Sequence, residues 1–298
     1  MAAFERELTA AVEREDLDAV IAALAGRGSG AFAVGADPGT AIGADIMLAA
    51  RLIRSRATDP ADEFFWVKQL LAQRDFNGHQ VGLVMLSDVY EQNPKVTLKL
   101  LQRHADSANW VVREYAGTCA GRILNRHFTE VYPVMQAWSQ HKSENVRRAV
   151  VIAAMEAAKA NHPRRGAKLL KLLDPLMRDE SRYVRVNLGQ FAISLALLKN
   201  YPDLTLKWLR KHARSKNEFA RWNVAMVWSA VGGRTYAERG MELLTDLAAD
   251  ERRFVWRAVA SATAKLGRAR PEVVKPILKR WRADPQRRHV AEVVGRYL

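Results

Sequence analysis

Trp110 and Glu114 are the residues of this sequence whose types and spacing are best suited to chemistry. The segment 109–117 has the pattern of a helix start, so the indole and the carboxylate lie one turn apart on the same face. Gly117 and Gly121 stand beside them, where a flat ligand or another backbone can approach closely. The alternative is a surface tryptophan covered by a neighbouring helix. The apolar stripe of the same helix faces the other way and comprises Val112, Tyr115, Ala116, Cys119 and Ile123.

The formal net charge of +15 is distributed unevenly along the 298 residues. Residues 1–100 contain 10 Lys and Arg against 14 Asp and Glu, a net of −4, whereas residues 101–298 contain 37 against 18, a net of +19. So large a surplus favours a polyanionic partner, with nucleic acid as the leading candidate. An anionic membrane fits less well, because the basic residues occur among helices with buried faces rather than on one isolated amphipathic segment.

Composition and spacing also argue against several kinds of site. The single cysteine, Cys119, excludes an internal disulfide or a cysteine metal cluster, and its place on the apolar stripe makes it a core residue. The seven histidines lack metal-ligand spacing and no Gly-x-Ser-x-Gly segment is present, so we expect no metal, no cofactor and no covalent nucleophile. No apolar run reaches the roughly 18 residues of a membrane span, and the N-terminus is acidic. We therefore expect a cytoplasmic protein, acting as a monomer.

Local signals indicate where further helices begin and end. Helical patterns cover about 2–25 and 41–56, and the glycine-rich connection between them lacks the Gly-Lys-Ser/Thr ending of a phosphate-binding loop. The acid-rich segment 58–63 is a good helix N-terminus. Pro202 and Pro271 each stand near the start of another helix.

A repeat organises the chain from about residue 100 onward. Two helices and two short connections fit its period, which is typical of a HEAT-like helical solenoid. No alternating strand pattern with hairpin turns is present, so the predicted fold class is all-α. Five similar segments, 34, 38, 36 and 35 residues apart, begin at Val112, Val146, Val184, Ala220 and Val255. We predict one α-solenoid domain over 1–298, with less regular helices over 1–60, HEAT-like repeats over 61–215 and C-terminal repeats or a cap over 216–298.

The third position of each segment faces away from the apolar stripe that the first position anchors. Stacking the repeats is expected to align these third positions along one face, and solenoids commonly bind partners on their concave face. We therefore predict a basic concave groove containing Trp110, where the cations suit phosphates and the aromatic rings suit a base or a sugar. The third positions are Glu114, Arg148, Val186, Trp222 and Arg257.

Arginine recurs at the second position of four segments, as Arg113, Arg147, Arg185 and Arg221. These arginines could form a line of phosphate contacts or an internal ladder of ion pairs. Their regular recurrence favours the ladder, because a curved phosphate backbone would not meet every repeat equally. Arg148 lies outside the ladder and is the better candidate for ligand binding. The acids that precede the same helices include Asp106, Asp179 and Glu218.

Five segments between about residues 30 and 215 together resemble a known family, the HEAT-like-repeat DNA alkylation-repair glycosylases of the AlkD/AlkC type. Asn109-Trp110 followed by Glu114 is similar to the family's active-site tryptophan and carboxylate, four residues apart. The segment 145–150 is similar to the one that carries its DNA-contacting arginine. The remaining similar segments are 32–38, a glycine-proline entry; 74–76, a helix start; and 183–204, a further repeat.

The resemblance implies a bacterial, cytoplasmic N-glycosylase that acts on double-stranded DNA and excises alkylated purines such as 3-methyladenine or 7-methylguanine. Trp110 would contact the sugar of the lesion, and Glu114 would stabilise positive charge growing at C1′ and orient water. Arg148 would hold a nearby phosphate. Extrusion of the base from the duplex is left open.

The sequence departs from the family pattern at two positions. Gln190 stands where the family has a second aromatic residue, and Tyr183 is a candidate substitute for it, whereas Phe191 is expected on the apolar stripe. Ser194 stands where the AlkC type has a catalytic aspartate. Two other functions therefore stay open: a non-catalytic protein that binds branched or damaged DNA, and a scaffold whose basic surface meets an acidic protein.

Overall fold

The computed structural model describes residues 3–26 and 39–298, and every regular element in those ranges is helical. This confirms the all-α class. The glycine-proline segment 32–38 lies outside the described residues. The chain divides into two compact units, Met1–Arg126 and His127–Leu298. That they form one domain stays a prediction.

The first unit consists of seven helices in its described part. A 3₁₀ turn, Tyr90–Gln92, precedes the sixth helix. The helices are α1 (Ala3–Glu13), α2 (Leu17–Gly26), α3 (Gly43–Arg56), α4 (Pro60–Ala72), α5 (Phe76–Leu86), α6 (Pro94–Ala105) and α7 (Trp110–Arg126).

The second unit contains twelve α-helices, two 3₁₀ turns (Pro163–Arg165 and Pro175–Arg178) and a π-helical segment, Leu188–Leu197, between the fourth and fifth of its helices. The helices are α8 (Phe128–Trp138), α9 (Glu144–Ala157), α10 (Gly166–Leu173), α11 (Arg182–Asn187), α12 (Leu198–Asn200), α13 (Pro202–Ala213), α14 (Glu218–Val227), α15 (Val231–Arg234), α16 (Ala237–Leu247), α17 (Arg253–Ala269), α18 (Pro271–Ala283) and α19 (Arg288–Gly295). No described helix is both long and apolar enough to cross a membrane.

Helix α5 is the centre of the first unit. It packs against α3, α4 and α7, and nearly all of its residues are buried. Its buried Asn77 accepts a hydrogen bond from the Ala41 backbone N–H at 2.8 Å and donates to the Gly39 carbonyl at 3.0 Å, which ties the segment before α3 to the core. The predicted helix start at 58–63 is confirmed, because the Asp59 side chain accepts from the first free N–H groups of α4.

The second unit is a stack of helix pairs in two layers. One layer runs through α9, the continuous helix formed by α11 and the π-helical segment, α14, α17 and α19, each packed against the next. The other layer runs through α10, α13, α16 and α18. Each helix thus buries its apolar stripe against its partner and its neighbours, which confirms the helical-repeat solenoid fold. The first positions of all five aligned segments are fully buried, namely Val112, Val146, Val184, Ala220 and Val255.

Two of the three recurring arginines in the second unit form ion pairs of the predicted internal ladder, but the pairing is different, and Arg185 donates to the backbone carbonyls of Asp179 and Glu180 instead. Arg147 on α9 binds Asp179, which precedes α11, with its Nε 2.6 Å from the carboxylate. Arg221 on α14 binds Asp250, which precedes α17, at 2.5 Å. Each acid therefore belongs to the next repeat rather than to the arginine's own helix. The reason is that stacked helices bring the start of one helix level with the first turn of its neighbour.

The π-helical segment alters the register of its repeat. Its i→i+5 hydrogen bonds widen each turn, so side chains no longer follow the 3.6-residue period on which the sequence prediction rests. Phe191 is 42% exposed, and its predicted place on the apolar stripe is wrong. Gly232 packs against the backbone of this segment at Ser194, where any Cβ would overlap the carbonyl group.

We expect Asp250→Asn to lower the free energy of unfolding by about 2 kcal/mol at pH 7, because Arg221 and Arg252 then face a neutral acceptor. Although burial alone raises the pKa of the Asp250 carboxyl, hydrogen bonds from Arg252 and the charge of Arg221 lower it. Since the folded pKa is the lower one, this stabilisation is complete above the unfolded value of roughly 4 and is lost as the pH falls through the folded value.

Urea unfolding of Asp250→Asn and wild type at pH 7 and at pH 3 measures this difference. The exposed Asp246→Asn is the matched control, since it removes the same charge from the neighbouring helix α16. The difference between wild type and Asp250→Asn should shrink at pH 3, and an equal difference at both pH values would contradict the role of the carboxylate.

Candidate active site

Helix α7 begins at Trp110, as the sequence predicts. The buried Asn109 precedes it, and its Oδ1 accepts hydrogen bonds from the backbone N–H groups of Val111 at 2.9 Å and Val112 at 3.2 Å. This cap fixes where the helix starts and therefore how the next two turns are oriented. Trp110 and Glu114 follow one turn apart, and both side chains are half-buried.

The Glu114 carboxylate borders a pocket of about 150 Å³ within the first unit. Apolar side chains from α3 and α5 form one wall, and the Arg122 guanidinium borders the pocket two turns further along α7. A carboxylate in such a place is partly screened from water, which strengthens its interaction with any positive charge that enters. The lining residues are Met47, Leu83, Val84, Glu114, Tyr115, Thr118, Cys119 and Arg122.

The buried side of α7 is broader than the sequence indicates. Cys119 is 2% exposed, as predicted for a core residue, and burial raises the pKa of its thiol to about 12. Burial likewise raises the pKa of the Tyr115 phenol, which is only half-buried. Gly117 and Gly121 are both buried, which favours close packing of the chain at these two positions over direct ligand contact.

Arg148 is placed differently from the prediction of an open groove residue. It is 3% exposed, and its Nη2 donates to the Asn187 Oδ1 at 3.2 Å. Its guanidinium lies 4.6 Å from the centre of the Tyr183 ring, a cation–π contact. The reason is that α9 packs directly against α11, so the third position of this repeat faces the next repeat. The structure thus brings together two predicted site residues, Arg148 and Tyr183.

Trp222 belongs to a cluster of aromatic rings around Arg185. Its ring stacks on Phe254 with centroids 5.9 Å apart and planes inclined by 18°, and the Arg185 guanidinium lies 5.5 Å from the indole. Phe219 is closest to that guanidinium, at 4.5 Å. Burial lowers the pKa of Arg185. The sequence prediction missed this cluster, although the spacing of Phe219 and Trp222 on one helix was visible.

Two further predicted site residues differ in exposure. Gln190 is half-buried within the π-helical segment, and Arg257 is exposed on α17. The groove that would contain Trp110, Glu114, Arg148 and Trp222 stays a prediction.

The second unit is strongly basic, with 33 Lys and Arg against 16 Asp and Glu, a net charge of +17. Residues 3–26 and 39–298 contain no group of three or more His, Cys, Asp or Glu side chains placed to hold a metal ion.

The architecture defines the class of protein: an all-helical repeat protein with a strongly basic second unit. The sequence matches the family described as DNA alkylation repair enzyme over residues 44–223, which is more than half of the chain. The chain therefore belongs to that family, and its role is in DNA alkylation repair. The match includes α7 and ends within α14.

Among curated proteins, none matches the sequence significantly. Among solved structures, the chain is similar to YibA from Escherichia coli, with 17% identity over 99% of this chain and 98% of YibA and a TM-score of 0.41. It is also similar to two engineered proteins, both 13% identical. The first covers 89% of this chain and 99% of its own with a TM-score of 0.29, and the second covers 98% and 83% with a TM-score of 0.35.

We expect Cys119 to be inert in the folded protein, because burial and a pKa near 12 keep its thiol protonated and covered. At pH 7.5 a thiol reagent such as iodoacetamide should leave the native protein unmodified and should add one group per chain in denaturant. Mass spectrometry counts the added groups without ambiguity, since the chain has one cysteine. Modification of the native protein at the rate of a free thiol would contradict a core position.

Proposed function

We propose that this protein is a DNA N-glycosylase that excises alkylated purines such as 3-methyladenine or 7-methylguanine. The observation that carries the proposal is the Glu114 carboxylate, which borders a pocket one turn after Trp110 on a helix inside the matched region 44–223. The family membership supplies the context of alkylation repair, and the carboxylate supplies a group that fits the chemistry of the reaction.

The proposed reaction begins with a base that already carries a positive charge from alkylation. The N-glycosidic bond breaks with its electron pair going to the base, which departs neutral, while positive charge develops at C1′. The Glu114 carboxylate stabilises that charge electrostatically. Water then forms the new bond to C1′, and the carboxylate accepts the proton that the water loses. The products are the free base and an abasic site in the DNA.

The size of the Glu114 pocket bears on whether the base is extruded from the duplex into it. At about 150 Å³ it is smaller than the roughly 300 Å³ at which sites enclose ligands of drug size. We therefore propose that this pocket receives a water molecule and the edge of the deoxyribose rather than an extruded nucleotide. Trp110 would contact the sugar of the lesion with its indole ring.

The side chains proposed to contact DNA from the second unit differ in how exposed they are. Arg257 is exposed and is suited to direct contact with a phosphate. Arg148 is buried beneath Tyr183 and next to Asn187, so we propose that it positions Tyr183 and adds positive potential rather than contacting a phosphate through open solvent. Gln190 and Trp222, both half-buried, are further proposed contacts. The proposed partner is double-stranded DNA.

A second candidate function is binding of damaged or branched DNA without excision. Gln190 favours it, because an amide side chain stands where the family resemblance leads us to expect an aromatic ring, and an amide supplies no π face. The charge of +17 on the second unit serves this function equally well, and it does not require Glu114.

We expect Glu114→Gln to reduce excision by about 10²- to 10³-fold, the usual loss when one group that stabilises transition-state charge is removed. The measurement is release of methylated purines from alkylated duplex DNA under single-turnover conditions. Glu7→Gln is the matched control, since it removes the same charge from an exposed site in the same unit. Equal release by wild type and Glu114→Gln would remove Glu114 from the mechanism. The absence of release by wild type from every alkylated substrate would favour the second candidate.

Binding to duplex DNA should weaken steeply with salt, because phosphate contacts release counterions. We expect Arg257→Gln to make the slope of log K against log salt shallower by about 0.9, the effect of one phosphate contact. Lys279→Gln, on α18, is the control for loss of one exposed charge. Fluorescence anisotropy with a labelled duplex measures both slopes. Salt-independent or undetectable duplex binding would instead favour a scaffold for an acidic protein.

A further inference from the structure

The last repeats contain a second pocket, here called the C-terminal pocket, between α17 and the end of the described chain. Its volume is about 440 Å³, within the range of sites for small organic ligands. Ala260 and Ala264 form its floor, and Val293 belongs to the opposite wall on α19. The pocket lies outside residues 44–223, so the family match assigns it no role.

Four cations line the C-terminal pocket, and no acid does. They are Arg253, Arg257, Lys265 and Arg268, whose spacings of four, eight and three residues keep them on one side of α17. None of the four forms an ion pair or a side-chain hydrogen bond within residues 3–26 and 39–298. Like charges one turn apart destabilise a helix slightly, and no carboxylate lines this pocket to offset their repulsion. An anionic ligand bound in the pocket would offset it.

Three other arginines of the same repeats form ion pairs. Arg252 binds Asp250, Arg270 binds Glu238 and Glu272, and Arg287 binds Asp284. Carboxylates hold these three guanidinium groups, whereas the four pocket cations line open space.

Two aromatic side chains complete the pocket. Trp256 is half-buried, and its indole meets the His289 ring of α19 edge to face, with centroids 5.2 Å apart and planes at 90°. That contact fixes the indole at the pocket wall. Tyr297 is 60% exposed, so its ring is available to a ligand. Aromatic rings beside cations are the combination that binds unpaired nucleotides, because the bases stack while the phosphates meet the charges.

We propose that the C-terminal pocket binds the unpaired nucleotides of a DNA strand. Trp256 and Tyr297 stack with a base, and Arg253, Arg257, Lys265 and Arg268 contact phosphates. Arg253 and Arg268 are about 22 Å apart along α17 at 1.5 Å per residue, which is more than one phosphate spans. The ligand is therefore a strand of several nucleotides rather than one free nucleotide. The proposal does not depend on excision or on Glu114.

The test measures binding of a fluorescein-labelled oligothymidylate of about 12 nucleotides to the full chain. Fluorescence anisotropy gives the affinity at several salt concentrations. The probe contains no alkylated base, so the result is independent of excision. The double variant Lys265→Gln/Arg268→Gln should bind about tenfold more weakly, with a salt slope shallower by about 1.4, or 0.7 for each phosphate contact. The matched control, Lys275→Gln/Lys279→Gln, removes two exposed charges from α18 and should retain the wild-type slope.

The aromatic part of the proposal is tested with Tyr297→Leu, which changes an exposed side chain outside the core. Thermal unfolding by circular dichroism checks that every variant is folded. We expect at least about fivefold weaker binding, the lower limit for loss of one stacking contact. Competition identifies the source of the nucleotide. Displacement of the probe by an unlabelled oligothymidylate but not by millimolar dTMP supports the strand, whereas equal displacement by dTMP overturns the strand in favour of a free nucleotide.

Two results would overturn nucleotide binding at the C-terminal pocket altogether. One is an equal loss of affinity in the pocket variant and in the α18 control, which would mean that the probe responds only to total charge. The other is displacement by inorganic phosphate as effective as by dTMP, together with an unchanged affinity in Tyr297→Leu, which would exclude a base contact.

Discussion

Ion pairs between successive repeats are a directional constraint on the second unit, and they occur at two steps of its stack, from α9 to α11 and from α14 to α17. Arg147 donates to the carbonyls of His141 and Lys142, which precede its own helix, and binds Asp179, which precedes the next one. One guanidinium thus joins two connections and sets the height at which neighbouring helices stack. The hydrophobic effect that buries the helix faces is not directional, whereas these hydrogen bonds are. At Arg185, three aromatic rings surround the guanidinium instead.

This fixed stacking decides which side chains are left for function. Where a third position faces the next repeat, as at Arg148, its charge is used within the protein, against the Tyr183 ring. Where the neighbouring helix leaves space, as along α17, the same pattern presents free cations. The first unit obtains its candidate site differently, from a capped helix start that orients Trp110 and Glu114. Position in the repeat therefore does not by itself predict a residue's role.

Much of the fold could be predicted from the sequence, because its signals are local and periodic. The repeat period follows from similar segments 34 to 38 residues apart. The buried first positions, the Asp59 cap and the core position of Cys119 follow from patterns of about four residues. The site was less predictable. The burial of Arg148 and the ring cluster at Trp222 depend on contacts between residues more than 30 positions apart, for which one sequence carries no direct signal. The four cations of α17 were visible as a pattern, but the open space between α17 and α19 was not.

The π-helical segment has a consequence for comparing this chain with its relatives. A π-helical turn is wider than an α-helical turn and accommodates an additional residue. Positions along the two kinds of helix therefore no longer correspond one to one. Gln190 lies inside that segment, so its match in sequence to the family's second aromatic residue does not allow for the wider turn. Equivalent residues in this repeat are therefore better identified by superposing backbones than by aligning sequences. The exposed Phe191 then becomes the residue to compare with the family's second aromatic residue.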